Sequence, residues 1–166
     1  GQVLEEGITE VDVKTLAPTV YGEDSGELVA AADTLGIPHP TGYPLWCILA
    51  KVFMIVVYTG DSAWRANLFS ALCGSAAAMC TAWIICLTTR RRIAAIAASL
   101  SLAFSIEFWE QSVIAEVYAL NALITAACIL LLLLWSETRR NIFLYAAGLL
   151  FGAAIFRRIA GEERRG

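Results

Sequence analysis

The run Ile129-Leu130-Leu131-Leu132-Leu133-Leu134 closes a segment, Val113–Trp135, whose only charged residue is Glu116. A helix needs ~20 apolar residues to cross a hydrocarbon core of ~30 Å. A helix that is apolar all round has no polar face to give to water, so it belongs in lipid or in the middle of a large core. A chain of 166 residues cannot supply such a core. Trp64–Leu87 is a second segment of sufficient length, rich in the Ala, Gly, Ser and Cys that let helices approach closely in a membrane. Ile93–Ile106 and Asn141–Phe156 are shorter apolar spans. The hydrophobic share of 58% and the mean hydropathy of +0.67 agree, since soluble domains hold about 45–50% apolar residues. The pattern predicts an all-α, polytopic transmembrane helix bundle.

Charge orients the bundle. Arg90-Arg91-Arg92 and Arg139-Arg140 flank the spans, and the positive-inside rule puts both clusters on the cytoplasmic side. The segment between them, Glu107–Ser112, then falls in a loop on the outer side, as does the start of the Trp64 span. Tyr43–Tyr58 is ambiguous. As a helix it reaches about 24 Å, less than a bilayer core, and Lys51 interrupts it. If it lies along the interface instead of crossing, the acidic amino-terminal segment and Glu107–Glu116 share the outer face. That arrangement is the expected one, because it assembles a site from two loops.

Residues 1–33 carry eight acids against Lys14 alone. Asp24-Ser25-Gly26-Glu27 reads as a capping pattern, with an acid at the N-cap and Glu three residues on. An Ala-rich helix follows to about Leu35. Gly36 and Pro38 stop it, and His39-Pro40-Thr41-Gly42-Tyr43-Pro44 forms a stiff turn. The polar residues 1–15 are an extension and the mixed-charge residues 157–166 a disordered tail, so the chain reads as incomplete at that end.

Acids held against lipid face a polar interior or cavity. Asp24 is the first candidate for a general base that takes a proton from an attacking hydroxyl, although a cap alone also explains it. Glu27 is a reciprocal cap partner or a second site acid. His39 either bonds within its turn or donates to a sugar or phosphate. Arg65 and Lys51 are candidate cations for a lipid phosphate, or plain interface anchors. Glu116 is the deepest acid of the second cluster and Tyr118 and Asn121 follow it, but their spacing is not one clean helical face.

No cofactor is implied. Asp24 and Glu27 together could offer oxygen ligands to a hard divalent ion, but two acids are a weak signal and no metal site is assigned. The five cysteines all lie in apolar stretches without metal-ligand spacing and read as packing residues. Nucleic-acid binding is excluded, because no basic face with interleaved aromatics exists.

Three stretches carry a resemblance. Leu16-Ala17-Pro18-Thr19-Val20 leads through Asp24-Ser25-Gly26-Glu27-Leu28-Val29-Ala30-Ala31-Ala32 to His39-Pro40-Thr41-Gly42-Tyr43-Pro44-Leu45. Gly60-Asp61-Ser62-Ala63-Trp64-Arg65-Ala66-Asn67-Leu68 and Phe108-Trp109-Glu110-Gln111-Ser112 through Glu116-Val117-Tyr118-Ala119-Leu120-Asn121 follow. Together they resemble a membrane family first catalogued as a domain of unknown function, which includes animal O-mannosyltransferases acting on plexin-type receptors. That family is similar to the GT-C superfamily of multi-spanning glycosyltransferases.

The resemblance implies a GT-C-like bundle over residues 16–156 with a short juxtamembrane helix in the first outer loop. It implies a polyprenyl- or dolichyl-phosphate sugar donor, a protein or glycan hydroxyl acceptor, and a bacterial plasma membrane or endoplasmic reticulum location. The essential acid of the first outer loop would be Asp24, with Glu27 beside it. The chain departs from the family pattern in its polar residues 1–15, in Pro40-Thr41, and in Phe156-Arg157-Arg158-Ile159 where Asn-His-His-Thr is expected. Two rival readings use the same residues. One is a non-enzymatic lipid-binding or transport protein, and the other an inactive fragment of the enzyme.

Overall fold

A computed structural model describes residues 23–34 and 43–162, with side chains described over 25–34 and 43–153. Among these residues there are helices and connecting turns and no strand: α1 (Glu23–Thr34), α2 (Pro44–Val56), α3 (Ser62–Thr89), α4 (Arg92–Ala103), α5 (Ile106–Val113), α6 (Val117–Thr138) and α7 (Asn141–Glu162). The all-helical expectation holds.

α3 is the central helix and packs against α1, α2, α4, α5 and α6. Its start is fixed locally. Gly60 takes φ +78, a conformation that favours glycine, and a Cβ there would meet the Trp64 ring at 2.6 Å. Asp61 then caps the helix, its Oδ1 accepting from the Trp64 N–H at 2.7 Å. The buried residues of α3 are almost all small, among them Ala63, Ala66, Ser70, Ala71, Gly74, Ala77 and Ala78. Van der Waals contact drives helix association in lipid, so small side chains that let backbones close up are the useful ones.

Two contacts set the direction of its main partner. The Ser70 Oγ bonds both the N–H and the carbonyl of Glu116, each at 3.3 Å, and Arg90 holds the Glu137 carboxylate at 3.1 and 3.2 Å. The sequence offset hardly changes between the two, so α3 and α6 run parallel. The starts of both helices therefore lie at one end of the bundle, and both arginine clusters at the other.

α3 and α6 are each long and apolar enough to cross a membrane. The return between them is broken: α4 and α5 are bent by 65°, and only as a pair are they long and apolar enough to cross. The apolar part of α7, Asn141–Ala153, is shorter than a crossing needs, as is α2.

The structure corrects the sequence reading in four places. Glu107–Ser112 is helix, not loop. Val113–Trp135 is not continuous, because Ile114–Glu116 is a link and α6 starts at Val117. The first helix begins at Glu23, one residue before the expected Asp24 cap. Finally, α7 continues to Glu162, since nothing before Gly161 breaks it and Arg, Ile, Ala and Glu all tolerate a helix.

α5 meets α3 at one close approach. A Cβ on Gly74 would lie 2.4 Å from the Ser112 Oγ and 2.9 Å from its Cβ, and Ser112 is 2% exposed. Gly74→Ala should force α5 away from α3 and lower stability by about 1–3 kcal/mol, the usual cost of overpacking. Adding Ser112→Gly should recover part of that loss. Equal unfolding midpoints for wild type and Gly74→Ala would remove the contact from the account.

Candidate functional site

One apolar cluster gathers the pieces of the site. It joins Leu28, Val29, Ala31 and Ala32 of α1 to Trp46, Cys47, Ala50 and Met54 of α2. Ala63, Ala66 and Cys73 of α3 and Ala115, Val117, Ala119 and Leu120 at the start of α6 complete it. Trp46 meets Phe69 edge-on at 6.2 Å, and Phe53 meets the same ring at 5.6 Å. α1 thus packs at the end where α3 and α6 begin, away from the arginines.

The Glu27 side chain is exposed on the opposite face of α1 from this cluster. Asp24 lies in the first turn of the same helix, its side chain outside the described residues. His39 lies outside them as well.

The two expected phosphate cations are engaged within the chain. Lys51 Nζ donates to the Asp33 carbonyl and, at 3.1 Å, to its carboxylate. That carbonyl is among the last four of α1, which have no partner inside the helix, and a cation suits a helix C-terminus. Arg65 repeats the device on the next helix. Its Nη1 donates to the carbonyls of Met54 at 2.7 Å and Val57 at 3.4 Å, at the end of α2. Its Nη2 reaches the Ser62 Oγ and its Nε the Asp61 carbonyl. Lys51 ties α2 to α1 and Arg65 ties α3 to α2, so the pair fixes how the acid-bearing helix sits. A lipid phosphate would compete with these bonds.

Glu116 is the N-cap residue of α6 in extended backbone, half-buried, with its main chain held by Ser70. Tyr118 is exposed and lines a cavity of about 580 Å³ between the α4–α5 bend and the start of α6. Leu102, Ser105, Glu107, Phe108, Gln111, Ser112, Ala119 and Ala122 complete the lining. The Gln111 Oε1 is buried and has no hydrogen-bond partner. Glu116 and Tyr118 therefore border one region, but only Tyr118 faces the cavity. Sequence reasoning quoted Gln111 and Phe108 and gave neither a role. The available signal was the amphipathic pattern of Ile106–Val113, which eight residues display only weakly. Among the described residues there is no group of three or more His, Cys, Asp or Glu placed to hold a metal.

Cys47 lies on the buried face of α2. Burial pushes its thiol above the ordinary value, partly offset by a backbone hydrogen bond. The thiolate is the reactive form, so a raised value means slower labelling at neutral pH. Alkylation of Cys47 should be roughly tenfold or more slower in the folded protein than in the denatured chain. Its rate should also keep rising above the pH where a free thiol levels off. Peptide mass spectrometry of the alkylated protein reads both effects.

The family model for the protein O-mannosyl-transferase TMEM260 N-terminal domain matches residues 24–159, from the first turn of α1 almost to the end of α7. The chain belongs to this family. Mouse protein O-mannosyl-transferase TMEM260 is 36% identical over 116 residues, 70% of this chain and 16% of that protein. The Dictyostelium discoideum protein O-mannosyl-transferase tmem260 is 28% identical over 127 residues, 75% of this chain and 16% of its own length. The chain thus spans about one sixth of the length of these TMEM260 relatives. No solved structure matches.

Proposed function

We propose that this chain is the acid-bearing membrane segment of a protein O-mannosyltransferase that takes its sugar from a polyprenyl- or dolichyl-phosphate carrier. The single observation that carries the reading is the shared apolar cluster. It includes residues of α1, the helix that carries Asp24 and Glu27, and residues around the start of α6, where Glu116 and Tyr118 lie, at the bundle end away from the arginines. By the positive-inside rule that end faces outward or into the endoplasmic reticulum lumen.

In this reading the Asp24 carboxylate accepts the proton of an acceptor hydroxyl as its oxygen attacks the anomeric carbon. The bond from that carbon to the phosphate oxygen breaks on the opposite face, so the configuration inverts. The lipid phosphate leaves as an anion and needs no strong acid. Glu27 supports Asp24, and His39 donates to sugar or phosphate. Glu116 and Tyr118 border the acceptor side, where the cavity opens. Lys51 and Arg65 act first on the helices that carry the acids, and Lys51 exchanges Asp33 for a phosphate if one arrives at that edge.

The test uses a full-length family member carrying this segment, a polyprenyl-phosphate mannose with labelled sugar, and a hydroxyl-bearing protein acceptor. The expected result is labelled acceptor with release of lipid phosphate in equal amount. Binding of the donor without release makes the protein a lipid-binding or transport protein, and absence of both overturns the proposal.

A further inference from the structure

The two turns at the arginine end are copies of one another. Thr89-Arg90-Arg91 and Thr138-Arg139-Arg140 follow α3 and α6. Arg90 and Arg139 both adopt left-handed backbone, φ 57 and φ 56, and their N–H groups close the helices onto the carbonyls of Cys86 and Trp135. Each threonine hydroxyl donates back four residues, Thr89 to Ile85 and Thr138 to Leu134, both at 2.7 Å. Each also accepts from the N–H of the second arginine, Arg91 at 3.2 Å and Arg140 at 3.4 Å. Glycine or asparagine is the ordinary residue at such a position, so arginine at both stands against its backbone preference.

The parallel packing of α3 and α6 sets these twin turns side by side. Arg90 reaches across to the Glu137 carboxylate, and Arg139 lies over the Trp135 ring at 5.6 Å. Those two arginines and the only described acid at this end are thereby used. Every other acid whose side chain is described lies on α1, on α5, at Asp61 or at Glu116, toward the opposite end. Arg91, Arg92 and Arg140 remain, all exposed, with no side-chain bond among the described residues. They sit where two membrane-crossing helices end, at the level of lipid headgroups.

We infer that Arg91, Arg92 and Arg140 form one binding surface for the phosphate of an anionic phospholipid in the leaflet at this end of the bundle. A guanidinium presents paired N–H donors that match phosphate oxygens. Trp135, against Arg139, is a built-in reporter. Because the chain holds five tryptophans, the Trp135 fluorescence is read in a W46F/W64F/W83F/W109F background, with the protein reconstituted in phosphatidylcholine vesicles containing phosphatidylglycerol. The bromine quencher is placed on the acyl chains of one lipid or of the other.

Brominated phosphatidylglycerol should associate several-fold more strongly than brominated phosphatidylcholine, on the scale of about fivefold for each engaged arginine. The preference should vanish in R91Q/R92Q/R140Q. The single variants R91Q, R92Q and R140Q leave four arginines to orient the chain, and each should lower it. Equal quenching by the two lipids in the wild type overturns the inference, as does a preference that no single variant reduces.

Discussion

Asp24→Asn should lower the turnover of a full-length family member carrying this segment by about 10²–10⁴-fold, the range that general-base catalysis supplies. Asparagine matches aspartate in size, serves equally well near a helix start, and cannot take up the proton. Expression, insertion and donor binding should therefore be unchanged, and the loss should appear in the single-turnover rate. Glu27→Gln separates the two acids. Beside Asp24 it should cost less, and a larger loss than that of Asp24→Asn would move the base to Glu27. Unchanged turnover in Asp24→Asn removes the proposed mechanism, whatever happens at Glu27.

Arg65→Ala should be the most damaging substitution for the architecture. The guanidinium holds the end of α2 through the Met54 and Val57 carbonyls and the start of α3 through Asp61 and Ser62. Hydrogen bonds from a charged donor are worth about 1.5–3 kcal/mol each, and losing a partner leaves the carbonyls unsatisfied. Because Arg65 is only half-buried, water replaces part of this, and a net loss of about 2–3 kcal/mol is expected. Arg65→Lys should recover a minor share, since one ammonium cannot reach along both helix ends as a planar fork does. Denaturant unfolding in detergent measures both variants. A midpoint unchanged in Arg65→Ala would mean that the α2–α3 corner is held by its apolar contacts alone.

The long elements of this fold were legible because their cause is local. Trp64–Leu87 and Ile129–Leu134 announce α3 and α6 through apolar length alone, and the arginine clusters give their ends. The interruptions were not legible because their cause is distant. Ser112–Glu116 contains no proline or glycine, yet the helix breaks there, where the Ser70 hydroxyl, far back in the chain, takes both main-chain groups of Glu116. The seat of α5 depends likewise on the missing side chain of Gly74.

The candidate site was legible as a proposal of where to look. Acids at the two outer segments suggested one region, and one apolar cluster includes residues of both α1 and the start of α6. The duties of Lys51 and Arg65 could not be read, since their partners are carbonyl groups at helix ends, which every residue owns and no pattern marks.

The parallel pairing of α3 and α6 also has a bearing on biosynthesis. A helix whose neighbour runs the same way must wait for the intervening return to be translated. Asn67 and Ser70, buried in the finished bundle, enter the bilayer before the segment that covers them has left the ribosome. The insertion machinery, or a chaperone within the membrane, has to shield that small polar stripe for the interval in which some fifty further residues are made.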